Sequence, residues 1–414
     1  MQIPNNVRYV IDTLQANCFE AYLVGGCVRD SIMGIKPKDY DITTNAFPED
    51  ILKCFADDKT LTNGIKHGTV TVLSDGECVE VTTFRIDGEY SDLRHPNKVT
   101  FSGKLSDDLL RRDFTVNAIA YSDKNGFVDP FCGKKDIEDR IIRCVGCPEK
   151  RFNEDALRIM RALRFSSVLG VGIESKTSKA IINNAQLLKN ISKERVFSEL
   201  TKLLMGENAP RVIEEYATVF KTIAPAFEKL NENTFEEISK ILEKCDSRKD
   251  NIVLSLCCFF CVFSETQNCA ELVEAMLRDL KSPAKTAKTV SIICSSCEMD
   301  LSAGRIFARK LASKLGYNNA FLLLRLISAK YPEKSDTCDN LIANLKALKK
   351  NNECIDISGL SISGNDLMTL GIPKGSAIGK ILGLLLCEVI EEKTVNSKNA
   401  LLERAKQISG KGVL

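Results

Sequence analysis

The run Val24-Gly25-Gly26-Cys27-Val28-Arg29-Asp30, followed by Asp39-Tyr40-Asp41, constrains this chain more than any other feature, because it sets a phosphate cradle beside a carboxylate pair. Ala21 to Val24 is a short apolar run. Paired glycines at its end let backbone amides approach phosphates that a Cβ would hold away. Val28 to Met33 reads as a helix whose N-terminal amides, with Arg29, face those phosphates. Lys38 to Thr44 alternates with the period of a strand, so Asp39 and Asp41 are expected on one strand face. Two carboxylates so placed can hold a pair of divalent cations, Mg²⁺ by preference, that clamp the attacking and leaving oxygens of an in-line displacement. Either half alone is common, as a turn or a solvated strand edge. Their conjunction points to nucleotidyl transfer.

Five further blocks follow in order: Arg111-Arg112-Asp113-Phe114-Thr115-Val116-Asn117-Ala118; Asp129-Pro130-Phe131 with Gly133 and Asp136; Glu154-Asp155-Ala156-Leu157-Arg158; Arg195 with Glu199; and the glycine-rich Ser363 to Gly379. With the opening motif, the first four resemble, in order and spacing, the motifs of class II nucleotidyltransferases of the polymerase-beta superfamily, the bacterial CCA-adding enzymes and their poly(A) polymerase relatives. The resemblance spans nearly the whole chain. It implies an α+β fold in which a small mixed-sheet catalytic head (1–140) is followed by an all-helical neck (141–205), body (206–345) and tRNA-binding tail (346–414).

The pattern of hydrophobic residues agrees with that division. Gly68 to Leu73, Cys78 to Phe84 and Asn117 to Tyr121 read as short strands, and beyond about 141 no convincing strand appears. Glu154 to Ser167 reads as one amphipathic helix with Ala156, Ile159, Met160 and Leu163 on a stripe. Ser192 is the expected cap of the next helix, where Arg195 and Glu199, four apart, can pair across one turn. Asn251 to Phe263 and Ala320 to Ser328 look like core helices of the body.

The resemblance makes Asp39 and Asp41 catalytic metal ligands. It lines the nucleotide site with Gly25, Gly26, Arg29, Arg111, Arg112, Asp113, Asn117, Glu154, Asp155, Arg158, Arg161 and Arg164. Asp113 and Asn117 are implied to touch the ribose. Glu80, in Val79-Glu80-Val81, is a candidate third catalytic carboxylate: its strand should lie beside that of Asp41, where it could complete the metal site or deprotonate a hydroxyl. A solvated strand-edge charge is an equal reading. The Asp129 to Asp136 segment is expected to be the joint between head and neck.

Asp155 and Arg158, three apart on one helix, can offer an acceptor and a donor fork to one planar base, with Glu154 steadying them. Cytosine and adenine show an amino donor beside a ring acceptor, and uracil and guanine the reverse. Such a pair accepts CTP and ATP and rejects the others, because each mismatched buried group costs ~1–3 kcal/mol.

Two features sort the relatives. Arg85 to Pro96 resembles the flexible loop that CCA- and A-adding enzymes use for the final adenosine, and the resemblance argues against a CC-only enzyme. Gly64-Ile65-Lys66-His67-Gly68-Thr69 stands where bacterial poly(A) polymerases carry a Gly-Arg-Arg-Phe-like segment. The expected activity is therefore template-independent addition of CMP, CMP and AMP to a tRNA 3′ end. A-adding-only and poly(A)-polymerase activity are the nearest alternatives, and a non-catalytic tRNA-binding protein is the alternative of a different class. With His67 and His95 as the only histidines, a histidine-aspartate phosphohydrolase domain is excluded.

Composition adds limits. The net charge of +2 does not announce a nucleic-acid binder, so any RNA surface must come from local clusters such as Arg158, Arg161 and Arg164. No leader pattern and no apolar run long enough to span a bilayer is evident, and the expected location is cytoplasmic. The seventeen cysteines then read as reduced, mostly buried thiols. Cys144/Cys147 and Cys294/Cys297 have zinc-like spacing, but the pairs lie far apart in sequence.

Overall fold

The computed structural model describes residues 1–88, 99–231 and 233–410. The chain divides into two compact units, Met1–Glu236 and Glu237–Leu414.

The first unit opens with the amphipathic helix α1 (Asn5–Ala16), which buries Val7, Val10, Ile11 and Leu14. A seven-stranded sheet follows. Its strands are β1 (Ala21–Val24), β2 (Asp41–Thr44), β3 (Thr60–Leu61), β4 (Thr69–Ser74), β5 (Glu77–Thr83), β8 (Ala120–Ser122) and β9 (Gly126–Val128), in the order β3-β4-β5-β2-β1-β8-β9. A separate hairpin is made by β6 (Arg85–Asp87) and β7 (Val99–Phe101). Between the strands lie α2 (Gly26–Ile32), α3 (Pro48–Cys54) and α4 (Leu105–Leu110).

The sheet is mixed because β2 runs parallel to β5 while its other pairings are antiparallel. Period-2 alternation decides what each face carries. Ala21, Leu23, Ile42, Val79 and Val81 join the residues of α1 in one apolar cluster. Tyr22 and Val24 pack on the other face with Phe84, Leu109 and Ala120. Asp41 is the register partner of Val24, so it shares this second face. The register also sets Asp41 opposite Glu80 and Thr43 opposite Thr82. One face of β2 thus makes core, and the other carries the polar groups.

Helices α5 (Gly133–Glu138), α6 (Pro148–Glu154), α7 (Leu157–Leu169), α8 (Ser175–Asn184) and α9 (Lys193–Met205) complete the part of this unit that bears on the site. The joint expected at Asp129 to Asp136 is tightly built. Asp129 accepts the amides of Gly133 and Lys134 at 2.7 and 2.9 Å, and Asp136 accepts Thr115 Oγ1 at 2.6 Å and Arg143 Nε at 3.1 Å. Only glycine fits at 133, because a Cβ there would stand 2.2 Å from the Thr115 carbonyl oxygen.

Four expectations on local structure are corrected. The strand predicted from Lys38 begins at Asp41, since its partner β1 ends at Val24 and Gly25 turns away, leaving Asp39 no ladder to join. Asn117 lies in a 3-10 turn (Thr115–Asn117), and the strand starts at Ala120. A short parallel pair, β10 (Ile141–Ile142) with β11 (Gly172–Ile173), occurs where only helix was expected. The helix predicted over Glu154 to Ser167 is broken: α6 ends at Glu154, Asp155 is extended (φ −140°, ψ 103°), and α7 starts at Leu157. Asp155 Oδ1 accepts the Leu157 amide at 3.0 Å, the local side-chain bond by which aspartate competes with a continuing helix.

The second unit is helical throughout its described residues, including the expected core helices Ile252–Phe260 and Tyr317–Lys330. Cys257, Cys258, Cys261, Cys294 and Cys297 are buried there, and desolvation pushes the Cys297 thiol up to about 12. All seventeen cysteines are free thiols. Toward the C-terminus Ser363 and Asp366 form a capping box on Gly364–Thr369, which packs against Ser376–Ile390.

Candidate active site

Gly25 forms the floor of the cradle. Its φ of +79° is one L side chains avoid, and a Cβ added there would lie 3.3 Å from Arg112 Nη1 and 3.8 Å from Asp41 Oδ2. The glycine therefore lets a guanidinium and a carboxylate face each other across an open backbone. Gly26 starts α2 directly behind it.

Asp41 is exposed, yet desolvation is the largest of the effects that raise its carboxyl pKa. That combination describes a carboxylate that solvent reaches but protein atoms crowd. Repulsion from Glu80 and then Asp39 adds to the rise, against the attraction of Arg112. Oxygen donors that repel one another in a partly desolvated cleft suit a hard divalent cation, which would relieve the repulsion. Among the described residues no group of three or more His, Cys, Asp or Glu side chains is placed to hold a metal ion, so Asp39, Asp41 and Glu80 do not form a closed three-carboxylate centre.

Above the cradle the carboxylates are paired. Asp108, which the sequence analysis did not single out, is fully buried. It accepts Arg111 Nε and Nη2 at 2.9 and 2.7 Å, Arg112 Nη2 at 2.9 Å and Thr43 Oγ1 at 3.2 Å. Burial opposes its ionisation, but Arg112 and Arg111 prevail and its pKa is lowered. The i,i+3 and i,i+4 spacing to the arginine pair was the available signal. Arg112 Nε is buried without a hydrogen-bond partner among the described residues.

Asp113 is buried as well. Its Oδ2 accepts Arg161 Nε and Nη2 at 2.8 and 2.6 Å, and its Oδ1 accepts Asn117 Nδ2 at 3.1 Å and the Phe114 amide at 2.8 Å. Burial is overcome by Arg161, Asn117 and Arg158, and the carboxyl is held down to about 2. Asn117 Oδ1 in turn accepts Arg29 Nη1 at 2.6 Å, while the rest of the Arg29 fork binds Asp30. Arg29 is thus buried in protein contacts rather than free to face a phosphate. Both ends of Asn117 and both oxygens of Asp113 are engaged within the protein, which leaves Asn117 one N–H and one Oδ1 lone pair for a further partner.

Phe165, also missed, lies beneath this network. The guanidinium carbons of Arg164, Arg29 and Arg161 stand 3.9, 5.1 and 5.4 Å from its ring centroid.

The residues expected to read the base lie at the break between α6 and α7, Asp155 in it and Arg158 in the first turn of α7. Glu154 Oε2 accepts Arg151 Nη1 at 2.7 Å and Arg158 Nη1 at 2.6 Å, so Glu154 steadies Arg158, with Arg151 as an unforeseen third member. Asp155 and Arg158 do not share a helix. Instead Asp155 Oδ2 accepts Arg195 Nη2 at 3.0 Å, and Glu199 contacts Arg164 at 2.6 Å. The pairing of Arg195 with Glu199 across one turn is therefore incorrect. Helix α9 packs along α7, and each residue finds its opposite charge there or at the helix break.

Of the expected site residues, Gly25, Arg112, Asp41 and Glu80 gather at the cradle, and Asp113, Asn117, Arg29 and Arg161 form one network. Of the loop Arg85 to Pro96, residues 89–96 lie outside the described residues; Asp87 contacts Arg85 at 3.2 Å and Arg111 at 3.9 Å. Cys144 is buried and Cys147 exposed, and both belong to the first unit, whereas Cys294 and Cys297 belong to the second.

A glycine cradle, a flanking carboxylate strand and a helical segment of arginine–carboxylate pairs define a nucleotidyltransferase. Sequence profiles agree: residues 21–143 match the Poly A polymerase head domain and residues 257–405 a tRNA nucleotidyltransferase domain 2. A CCA-adding enzyme of Ligilactobacillus salivarius is 35% identical over 404 residues, covering 96% of this chain and 95% of the relative. One from Geobacillus stearothermophilus is 50% identical over 204 residues, covering 49% of this chain and 50% of its own. The chain belongs to the family of CCA-adding enzymes. The solved Bacillus stearothermophilus CCA-adding enzyme in complex with CTP matches with a TM-score of 0.81 at 29% identity, covering 99% of both chains. The Thermotoga maritima CCA-adding enzyme complexed with tRNA shares the fold, with a TM-score of 0.66 at 20% identity over 97% of this chain and 94% of that one. No helix among the described residues is long and apolar enough to cross a membrane.

Proposed function

We propose that the protein is a CCA-adding tRNA nucleotidyltransferase, joining CMP, CMP and AMP in turn to the tRNA 3′ end from CTP and ATP and releasing pyrophosphate at each step. The observation that carries this reading is the parallel register of Asp41 with Glu80, on the sheet face where Gly25 opens toward Arg112.

Divalent cations, Mg²⁺ by the hardness of the oxygen donors, held by Asp39 and Asp41 would supply Lewis-acid stabilisation of the in-line displacement at the α-phosphate. The Gly25 and Gly26 backbone accepts the triphosphate where a side chain would block it. Arg112 lends its charge there through Nη1, the guanidinium nitrogen nearest Gly25. Glu80 faces Asp41 from the neighbouring strand, placed either to orient the attacking hydroxyl or to complete the cation site. Asp155 and Arg158 read the amino and ring-nitrogen edge of C or A from the helix break. Arg195 and Glu154 hold that pair in place. We assign residues 1–140, 141–205, 206–345 and 346–414 to head, neck, body and tail, with the tail as a tRNA contact and the cytoplasm as the location.

Incubating the protein with Mg²⁺ and tRNAs ending before CCA, after C and after CC, with CTP and ATP offered separately, tests the reading. The expected result is C on the first two substrates and A on the third. Addition of A alone to CC-ended tRNA would make it an A-adding enzyme, long tails on any RNA a poly(A) polymerase, and no extension a binding protein.

A further inference from the structure

Asp108 lies outside the residues that meet a nucleotide, yet its carboxylate joins parts of the head that the sequence keeps separate. It sits at the C-terminal part of α4, fully buried, and is shared by two guanidiniums and a hydroxyl. The hydroxyl belongs to Thr43, on the same face of β2 as Asp41. One guanidinium, Arg112, reaches from Asp108 to the open backbone of Gly25, on whose other side stands the Asp41 carboxylate. The other, Arg111, extends toward Asp87 of the β6–β7 hairpin at 3.9 Å.

An arginine beside a glycine cradle has many rotamers open to it, and fixing one is costly unless a partner pays that entropy beforehand. Asp108 holds Nη2 of Arg112 at 2.9 Å, while Nη1 lies toward Gly25 and Nε has no acceptor among the described residues. Thr43 in turn references the carboxylate to the strand of Asp41. We propose that Asp108 is the positioning residue of the phosphate cradle, holding Arg112 over Gly25 so that its charge is in place before the triphosphate arrives. This rests on the nucleotidyl-transfer reading of the same cradle. Because Arg112 meets phosphate and not base, the effect is common to CTP and ATP and absent from ligands lacking the β- and γ-phosphates.

Equilibrium binding of CTP, ATP and CMP to the full chain in Mg²⁺ buffer tests it. Asp108→Asn keeps the shape of the side chain and removes its charge. It should weaken CTP and ATP alike by about tenfold, leave CMP within about twofold, and cost nothing further in an Arg112→Ala background. Equal losses for CTP and CMP would mean a general disturbance of the head and overturn the inference, as would unchanged CTP affinity or a loss that adds fully to that of Arg112→Ala. Should Asp108→Asn fail to fold, Thr43→Val removes one hydrogen bond to the same carboxylate. It should weaken both triphosphates by about two- to threefold with CMP unchanged, and wild-type affinities there would overturn the proposal. Wild-type protein that neither binds CTP nor extends tRNA would instead refute the nucleotidyl-transfer reading itself.

Discussion

The carboxylates of the first unit fall into two groups held in opposite electrostatic states. On the face of β2 and β5, Asp41 and Glu80 stand opposite each other in the register, and desolvation, with the repulsion between them, raises the pKa of Asp41. At α4 and the start of the 3-10 turn, Asp108 and Asp113 are buried far more completely, and yet their pKa values are lowered, because each is gripped by arginine. Burial alone would push all of them up. The difference is what the fold supplies as partner. The paired group is matched within the protein and holds its guanidiniums by hydrogen bonds of 2.6 to 2.9 Å. At the other group desolvation and repulsion outweigh the attraction of Arg112, and on the proposed function that deficit equips it to recruit cations. On the proposed function, chemistry falls to the site left short of charge and recognition to the network with its charges matched.

Removing a member of the unpaired group should give the largest effect. Asp41→Ala is expected to lower kcat for CMP and AMP incorporation alike by at least about a thousandfold, since cation stabilisation is worth several kcal/mol and each 1.4 kcal/mol is tenfold. Affinity for tRNA, which depends on phosphate contacts elsewhere, should change little. Appreciable turnover by the variant in saturating Mg²⁺ would erase the proposed division, because the chemistry would then have to come from the paired network.

A change in the paired group should alter selectivity and spare turnover. Asp155→Asn retains an oxygen for the Leu157 amide but weakens the pair with Arg195. It also offers a donor where a uracil or guanine carbonyl would welcome one. The ratios of kcat/KM for CTP over UTP and ATP over GTP should fall by about tenfold, one altered hydrogen bond being worth ~1–3 kcal/mol. Arg195→Gln should move the same ratios in the same direction if the pair acts as a unit. Wild-type ratios in both variants would reduce this corner of the network to helix-end scaffolding.

The same contrast explains what could be read from residue order. The cradle, the alternation of the Glu80 strand and the buried stripe of α7 were legible because they follow from local rules: glycine at a positive φ, alternation, and helical period; the pairing of the Glu80 strand beside that of Asp41 came from the family resemblance. The paired network was not. Arg195 and Glu199 satisfy the i,i+4 rule, but an exposed helical pair is worth only a few tenths of a kcal/mol, and partners on neighbouring elements outbid it. Asp155 looks like one more residue of an amphipathic helix until its carboxylate takes the Leu157 amide. Asp108 had the right spacing to both arginines, yet nothing local distinguishes a buried carboxylate from a solvated one. Phe165 became the centre of three guanidiniums only once α2 and α7 were brought together.

The smallest expected effect is on stability, and its sign separates the two groups. A carboxyl whose folded pKa is raised contributes stability fully present below its unfolded pKa and lost as pH rises through the folded value, so at neutral pH the ionised Asp41 is a cost to the fold. For Asp113, held down to about 2, the contribution is present above its unfolded pKa and fades as pH falls through the folded one. In chelator at pH 7, Asp41→Asn should therefore raise the Tm, by on the order of 1–2 °C because the exposed carboxylate is screened by water. Asp113→Asn should lower it under the same conditions. Adding Mg²⁺ should stabilise the wild type and not Asp41→Asn, closing the gap between them, since a ligand that binds the folded state stabilises it only while its site remains. A wild type that is already the more stable in chelator would mean that Asp41 is satisfied within the protein, like Asp108 and Asp113, and the cleft would have no deficit of charge for a cation to fill.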